Sequence, residues 1–103
     1  MNNSTMGFLM VNVRYANGAV PVSGAVAVLQ RNESFVGEFF TDNSGKTQKI
    51  PLEEAEDYRV EIYADGFEKG IIDDIPVLSG ITTVQNICLF PQRNGVNNSD
   101  GQI

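Results

Sequence analysis

The chain has 103 residues, 42% of them hydrophobic and 19% charged, which suits one folded core and is too short for two. Seven basic residues stand against thirteen acidic ones, a net charge of −6, and the basic ones (Arg14, Arg31, Lys46, Lys49, Arg59, Lys69 and Arg93) are scattered. Phosphate backbones and anionic membranes need clustered Lys and Arg, so both partners are disfavoured. There is no histidine, the residue most used for zinc ligation, catalytic triads and general-base chemistry near neutral pH. A single cysteine, Cys88, rules out an intrachain disulfide and reads as a buried small hydrophobe within "NICLF". No apolar run is long enough for a transmembrane helix, so no membrane insertion is expected. The opening "MNNSTMGFLM" lacks the basic and then apolar segments of a signal peptide. Localisation is therefore open: a protein that stays inside, or a module from a longer exported chain.

In chain order, the periodicity is two almost everywhere. Leu9, Val11 and Val13 alternate with Met10, Asn12 and Arg14, which predicts a half-buried strand. Asn17-Gly18 marks a tight turn, and Pro21 restricts the chain after it. "GAVAVLQR" predicts a second strand, with Ala25, Ala27 and Leu29 on one face and Val26 and Val28 on the other; which face is buried stays open. "SFVGEFF" predicts a third, with Gly37 marking a bulge.

The polar stretch Thr41-Asp42-Asn43-Ser44-Gly45 predicts a hairpin turn leading into "KTQKIPL". Asp and Asn side chains bond nearby backbone N–H groups, and Gly45 can take the positive φ that closes a turn. The run "EEAED" is too short and polar for a stable helix and reads as a loop or single turn. In "YRVEIYA", Tyr58, Val60, Ile62 and Ala64 face one way and Arg59, Glu61, Tyr63 and Asp65 the other. Asp65-Gly66 turns the chain into a strand interrupted near Asp73-Asp74. Ser79-Gly80 turns it again, and "ITTVQNICLFP" closes the domain. About seven short strands at roughly ten-residue spacing predict an all-β sandwich or barrel. The polar ends, residues 1–5 and 92–103, read as disordered tails around a folded body over 6–91.

The order "VPVSGAVAVL", "FFTDNSGKTQKIPL", "YRVEIYADGFEKGII" and "VQNICLFP" resembles the carboxypeptidase regulatory-like domains. Pro21, Gly24 and Ala25, then Thr41, Asp42 and Gly45, then Tyr58, Val60, Gly66 and Phe67, and finally Ile87 and Leu89 stand at the positions that carry the resemblance. One departure is Glu56-Asp57 before Tyr58, where family members commonly place a glycine. The resemblance implies a seven-stranded, Greek-key-type sandwich, transthyretin-like (prealbumin-like) or immunoglobulin-like. It further implies a non-catalytic accessory module of bacterial cell-envelope or peptidase-associated proteins, and it carries over no catalytic residue.

Other chemistries find little support in the residues present. A calcium loop needs more oxygen ligands at alternating positions than Asp42 and Asn43 supply. Glu53, Glu54, Glu56, Asp57, Asp73 and Asp74 read as a solvated acidic rim rather than a cation site, and no metal or cofactor is expected. Carboxylate-based glycoside hydrolysis is disfavoured in a small domain without tryptophan. Related pilin and adhesin modules form a lysine–asparagine crosslink; Asn86 is placed for one, but no lysine precedes Lys46. Transthyretin-like hydrolases of the purine pathway rely on histidines, which are absent here. Sequons at Asn2, Asn3, Asn32 and Asn97 read as chance in an Asn-rich chain. Outward aromatics remain: Tyr63, Phe39 and Phe40 form the candidate interaction patch, for a protein partner, a neighbouring domain of a larger chain, or a cell-wall glycan.

Overall fold

Strands whose apolar residues recur at every second position can bury only one face, and two such sheets pack face to face. That is the arrangement in the computed structural model, which describes residues 5–93. Among the described residues there are eight strands and no helix: β1 Met6–Tyr15, β2 Val20–Pro21, β3 Val26–Arg31, β4 Ser34–Phe40, β5 Ile50–Glu53, β6 Ala55–Tyr63, β7 Gly70–Val77 and β8 Thr82–Cys88. The excess over the expected seven is β2, a two-residue strand closing the turn at Asn17-Gly18. Sequon positions Asn2, Asn3 and Asn97, and most of both expected tails, lie outside the described residues.

The first sheet is built on β1. Along one edge β8 runs parallel to it from Phe8↔Thr82 to Arg14↔Cys88. The other edge is shared by β5 at Met6 to Leu9 and by β2 at Arg14 and Tyr15, both antiparallel. The second sheet has the order β4-β3-β6-β7, antiparallel throughout. The chain passes between the sheets four times, after β2, β4, β5 and β7, which gives the sandwich its Greek-key character.

The core lies between the sheets. Leu9, Val11 and Val13 of β1 meet Ala27 and Leu29 of β3, Tyr58, Val60 and Ile62 of β6, and Ile75 and Val77 of β7. Burial thus selects the Ala27–Leu29 face of β3, which the sequence left open. Each large aliphatic side chain removed from water contributes about 1.5–3 kcal/mol.

Three expectations are corrected. The turn at Asp42 to Gly45 is not a hairpin, because β4 and β5 belong to different sheets; it is a crossover. "EEAED" is not a loop. Only Glu54 bends, and Ala55 to Asp57 already extend along β6, with the half-buried Ala55 pairing with Val77. The strand tolerates the acidic residues because Glu53, Glu56 and Asp57 are exposed and the β6–β7 register shifts between Ala55 and Tyr58. Cys88 is half-buried on the outer face of β8 opposite Arg14; the core position belongs to its neighbour Leu89. The bulge expected at Gly37 falls at its neighbour, and the interruption expected near Asp73-Asp74 is a bulge. Val36, beside Gly37, is the extra residue opposite Leu29 and Gln30, and Asp73-Asp74 oppose Arg59 alone, with Asp74 at φ 56.

Candidate interaction surface

The crossover turn is held by one carboxylate and one hydroxyl. Asp42 Oδ1 accepts from the Ser44 N–H at 2.9 Å, the Ser44 hydroxyl at 2.8 Å and the Lys46 N–H at 3.1 Å. The buried Thr41 Oγ1 accepts from the Ala25 N–H and donates to the Val22 carbonyl, at 2.9 and 2.6 Å. Every one of these bonds is spent inside the protein, as a turn requires. Among the described residues, no three His, Cys, Asp or Glu side chains converge as a metal site.

The three N–H and O–H donors hold the Asp42 carboxyl below its ordinary pKa, the backbone N–H of Lys46 contributing most. A carboxylate with a lowered folded-state pKa adds stability above its ordinary value of about 4, and that stability fades as pH falls towards the folded value. Asp42→Asn should therefore flatten the acid limb of a plot of melting temperature against pH from 7 to 2. Parallel wild-type and variant curves would contradict this role.

The predicted patch is assembled only in part. Phe40 of β4, Val26 of β3 and Tyr63 of β6 are direct cross-strand partners and form one row on the outer face of the second sheet. Phe40 is 60% exposed and Tyr63 42%. Phe39 is not part of this row. It pairs with Ala27 on the inner face, is half-buried against the core, and folds its ring into space where a Cβ on Gly37 would lie 2.9 Å from it. Sequence reasoning missed Phe35, 67% exposed beyond the bulge. Its place on the outer face follows from pairing with Gln30 across the bulge at Val36, a register no local pattern fixes.

Polar groups continue the outer face. The Tyr63 hydroxyl donates to Glu61 Oε1 at 2.7 Å, while Arg59 bridges Glu61 at 3.1 Å and Asp73 at 2.7 Å. Hydrogen bonds from Tyr63 and Arg59 keep the Glu61 carboxyl below its usual range, and the same bond raises the Tyr63 phenol. Lys69 Nζ lies 5.9 Å from the Tyr63 ring centre. Beyond Tyr63 a shallow cleft of about 640 Å³ opens at the end of the sandwich, lined by Val22, Ser23, Gly24, Asp65, Phe67 and Gln92.

Asn86, the candidate crosslink position, instead accepts a hydrogen bond from Asn12 Nδ2 at 2.9 Å on the outer face of the first sheet. Lys46 is exposed and bridges to Asn12 through the backbone.

No protein-family model matches the chain, and no curated protein does. Solved structures do. The Bacillus anthracis TIE protein aligns with a TM-score of 0.70 at 18% identity, over 85% of this chain and 17% of that one. GBS52, the minor pilin of Streptococcus agalactiae, aligns at 0.64 and 16% identity, over 93% of this chain and 49% of that one. The 5-hydroxyisourate hydrolase of Klebsiella pneumoniae aligns at 0.63 and 15% identity, over 84% and 92%. This chain therefore spans about a sixth of the TIE protein and half of the pilin. At these identities the likeness establishes the fold, and the fold is the transthyretin-like β-sandwich.

Proposed function

We propose that this chain is a non-catalytic accessory module of the carboxypeptidase regulatory-like kind, a spacer or docking unit of a bacterial cell-envelope or peptidase-associated protein. The observation that carries this reading is the outer face of the second sheet. The core is complete without Phe35, Phe40 and Tyr63, yet these aromatics stand uncovered on β4 and β6, the two strands that flank β3. Exposed aromatic rows of this kind serve recognition more often than stability. Two of the structural neighbours are long chains in which this fold occupies a part, as a spacer does.

A second reading, a carbohydrate- or peptidoglycan-binding module, is favoured by one feature. Tyr63 borders a cleft whose wall carries Ser23, Asp65 and Gln92, hydrogen-bonding groups beside an aromatic ring. Sedimentation of the purified chain with insoluble bacterial cell wall, with and without calcium, separates the two. The docking reading predicts that the chain stays in the supernatant in both conditions. Retention that Tyr63→Ala abolishes would replace it with wall binding. Retention that requires calcium and survives Tyr63→Ala would also overturn it and move the site to the acidic groups.

A further inference from the structure

Among the described residues the two sheets have four edges, and three of them carry features that hinder further pairing. On β7, Pro76 lacks an N–H and the Asp73-Asp74 bulge breaks the ladder. The β2–β5 edge carries Pro21, Pro51 and Lys49. The β8 edge lies beside β7, where Thr83 Oγ1 donates to the Pro76 carbonyl at 2.7 Å and Gly70 admits Ile87 and Leu89. Proline, lysine, bulges and covering strands are the usual means of protecting an edge.

Strand β4 is different. It has no proline or lysine, its single charge is Glu38, and it packs against β3 while strands of the first sheet lie elsewhere. Its own bulge at Val36 leaves Gly37 to Phe40 regular. The bond from the Thr41 N–H to the Ala25 carbonyl fixes the phase of the β3–β4 ladder. In an antiparallel pair, alternate residues turn both backbone groups to the same neighbour. Phe39 and Thr41 therefore face β3, whereas Glu38 and Phe40 present N–H and C=O to the open side.

The side chains at this edge state what kind of strand fits. On the outer face Phe40 and Phe35 flank Glu38, and Glu38 shares its row with Val28 and Glu61. Arg59 is engaged by Glu61 and Asp73, and Glu38 has no ion-pair partner among the described residues. A second copy of the chain would bring its own Glu38 and Glu33 and a net charge of −6 to the same place.

We propose that β4 accepts an added strand from a protein partner, an extended segment with Lys or Arg opposite Glu38 and apolar residues two positions to either side. The inference rests on the docking reading and names its occupant. Main-chain bonds to Glu38 and Phe40 hold the segment, and the charge and the two aromatics set its register.

The probe is a labelled, end-blocked peptide, Thr-Leu-Thr-Lys-Thr-Leu-Thr, followed by fluorescence anisotropy and by the amide NMR signals of Glu38 and Phe40. The lysine peptide should bind more tightly than its glutamate counterpart, and Glu38→Lys should reverse the preference, each change on the order of five- to tenfold. Methylating the backbone nitrogen of the central lysine should abolish binding. Equal affinity for the two peptides, or indifference to methylation, would overturn the proposal. So would a concentration-dependent dimer of the free chain that Phe40→Asp breaks, which would give the edge to a second copy. Peptide failure without cell-wall retention removes only this occupant, whereas wall retention lost in Tyr63→Ala removes the docking reading itself.

Discussion

Ile62→Ala is expected to lower the unfolding free energy by about 2–5 kcal/mol, towards the upper half of that range. Ile62 is fully buried at the centre of the second sheet, where its cross-strand partners are Ala27 on β3 and Gly70 on β7. Neither neighbour has a side chain long enough to collapse into the space left behind. Ile87 and Leu89 already occupy the room above Gly70, lying 2.6 and 2.8 Å from where its Cβ would be. The cavity should persist, and persistent cavities carry the larger cost. Denaturant unfolding should show a lower midpoint with an unchanged slope, and Ile62→Val should lose only about 0.5–1.5 kcal/mol. A loss below about 1 kcal/mol for the alanine variant would mean that the core rearranges around the gap.

Gly45→Ala is expected to cost a similar amount for a different reason. Gly45 has φ +83, and a Cβ there would lie 2.5 Å from the Val13 carbonyl oxygen. That oxygen accepts from the Val22 N–H at 2.9 Å, and the Val13 N–H donates to the Gly45 carbonyl at 2.7 Å. The left-handed backbone costs a non-glycine residue about 1–2 kcal/mol. Displacing a buried backbone pair adds about 1–3 kcal/mol. Gly24→Ala separates these contributions, because Gly24 has φ +75 but nothing within 4 Å of where its methyl group would sit. It should lose only the conformational part. Equal losses at the two glycines would show that the contact with Val13 is relieved at no cost.

These two sites illustrate what local pattern conveys. The alternation of Tyr58, Val60 and Ile62 with Arg59, Glu61 and Tyr63 is legible because strand geometry repeats every two residues, and the buried face follows directly. Asp42 and Gly45 are legible as a turn because their chemistry acts over three or four residues. Which strands the turn joins is a non-local matter. Nothing within "TDNSGK" distinguishes a hairpin from a crossover, since the choice depends on β1 lying between β5 and β8.

The surface is harder to read for the same reason. That Phe39 and Phe40 must face opposite ways follows from adjacency, but which one is buried depends on pairing with β3. The row of Phe40, Val26 and Tyr63 joins residues separated by 14 and 37 positions, and only the register brings them together. "EEAED" misleads because its composition favours a loop, while the non-local pairing of Ala55 with Val77 makes it a strand. Cys88 lies in an apolar run, yet the parallel register with Arg14 turns it outward.

The openness of β4 underlies the proposed strand partner, and amide hydrogen exchange along that strand tests it most directly. In dilute solution the amides of Phe39 and Thr41, which face β3, should exchange slowly. Those of Glu38 and Phe40 should exchange close to the rate of an unprotected chain. Protection of Glu38 and Phe40 equal to that of their neighbours would contradict the account, because it would mean that the edge is already covered.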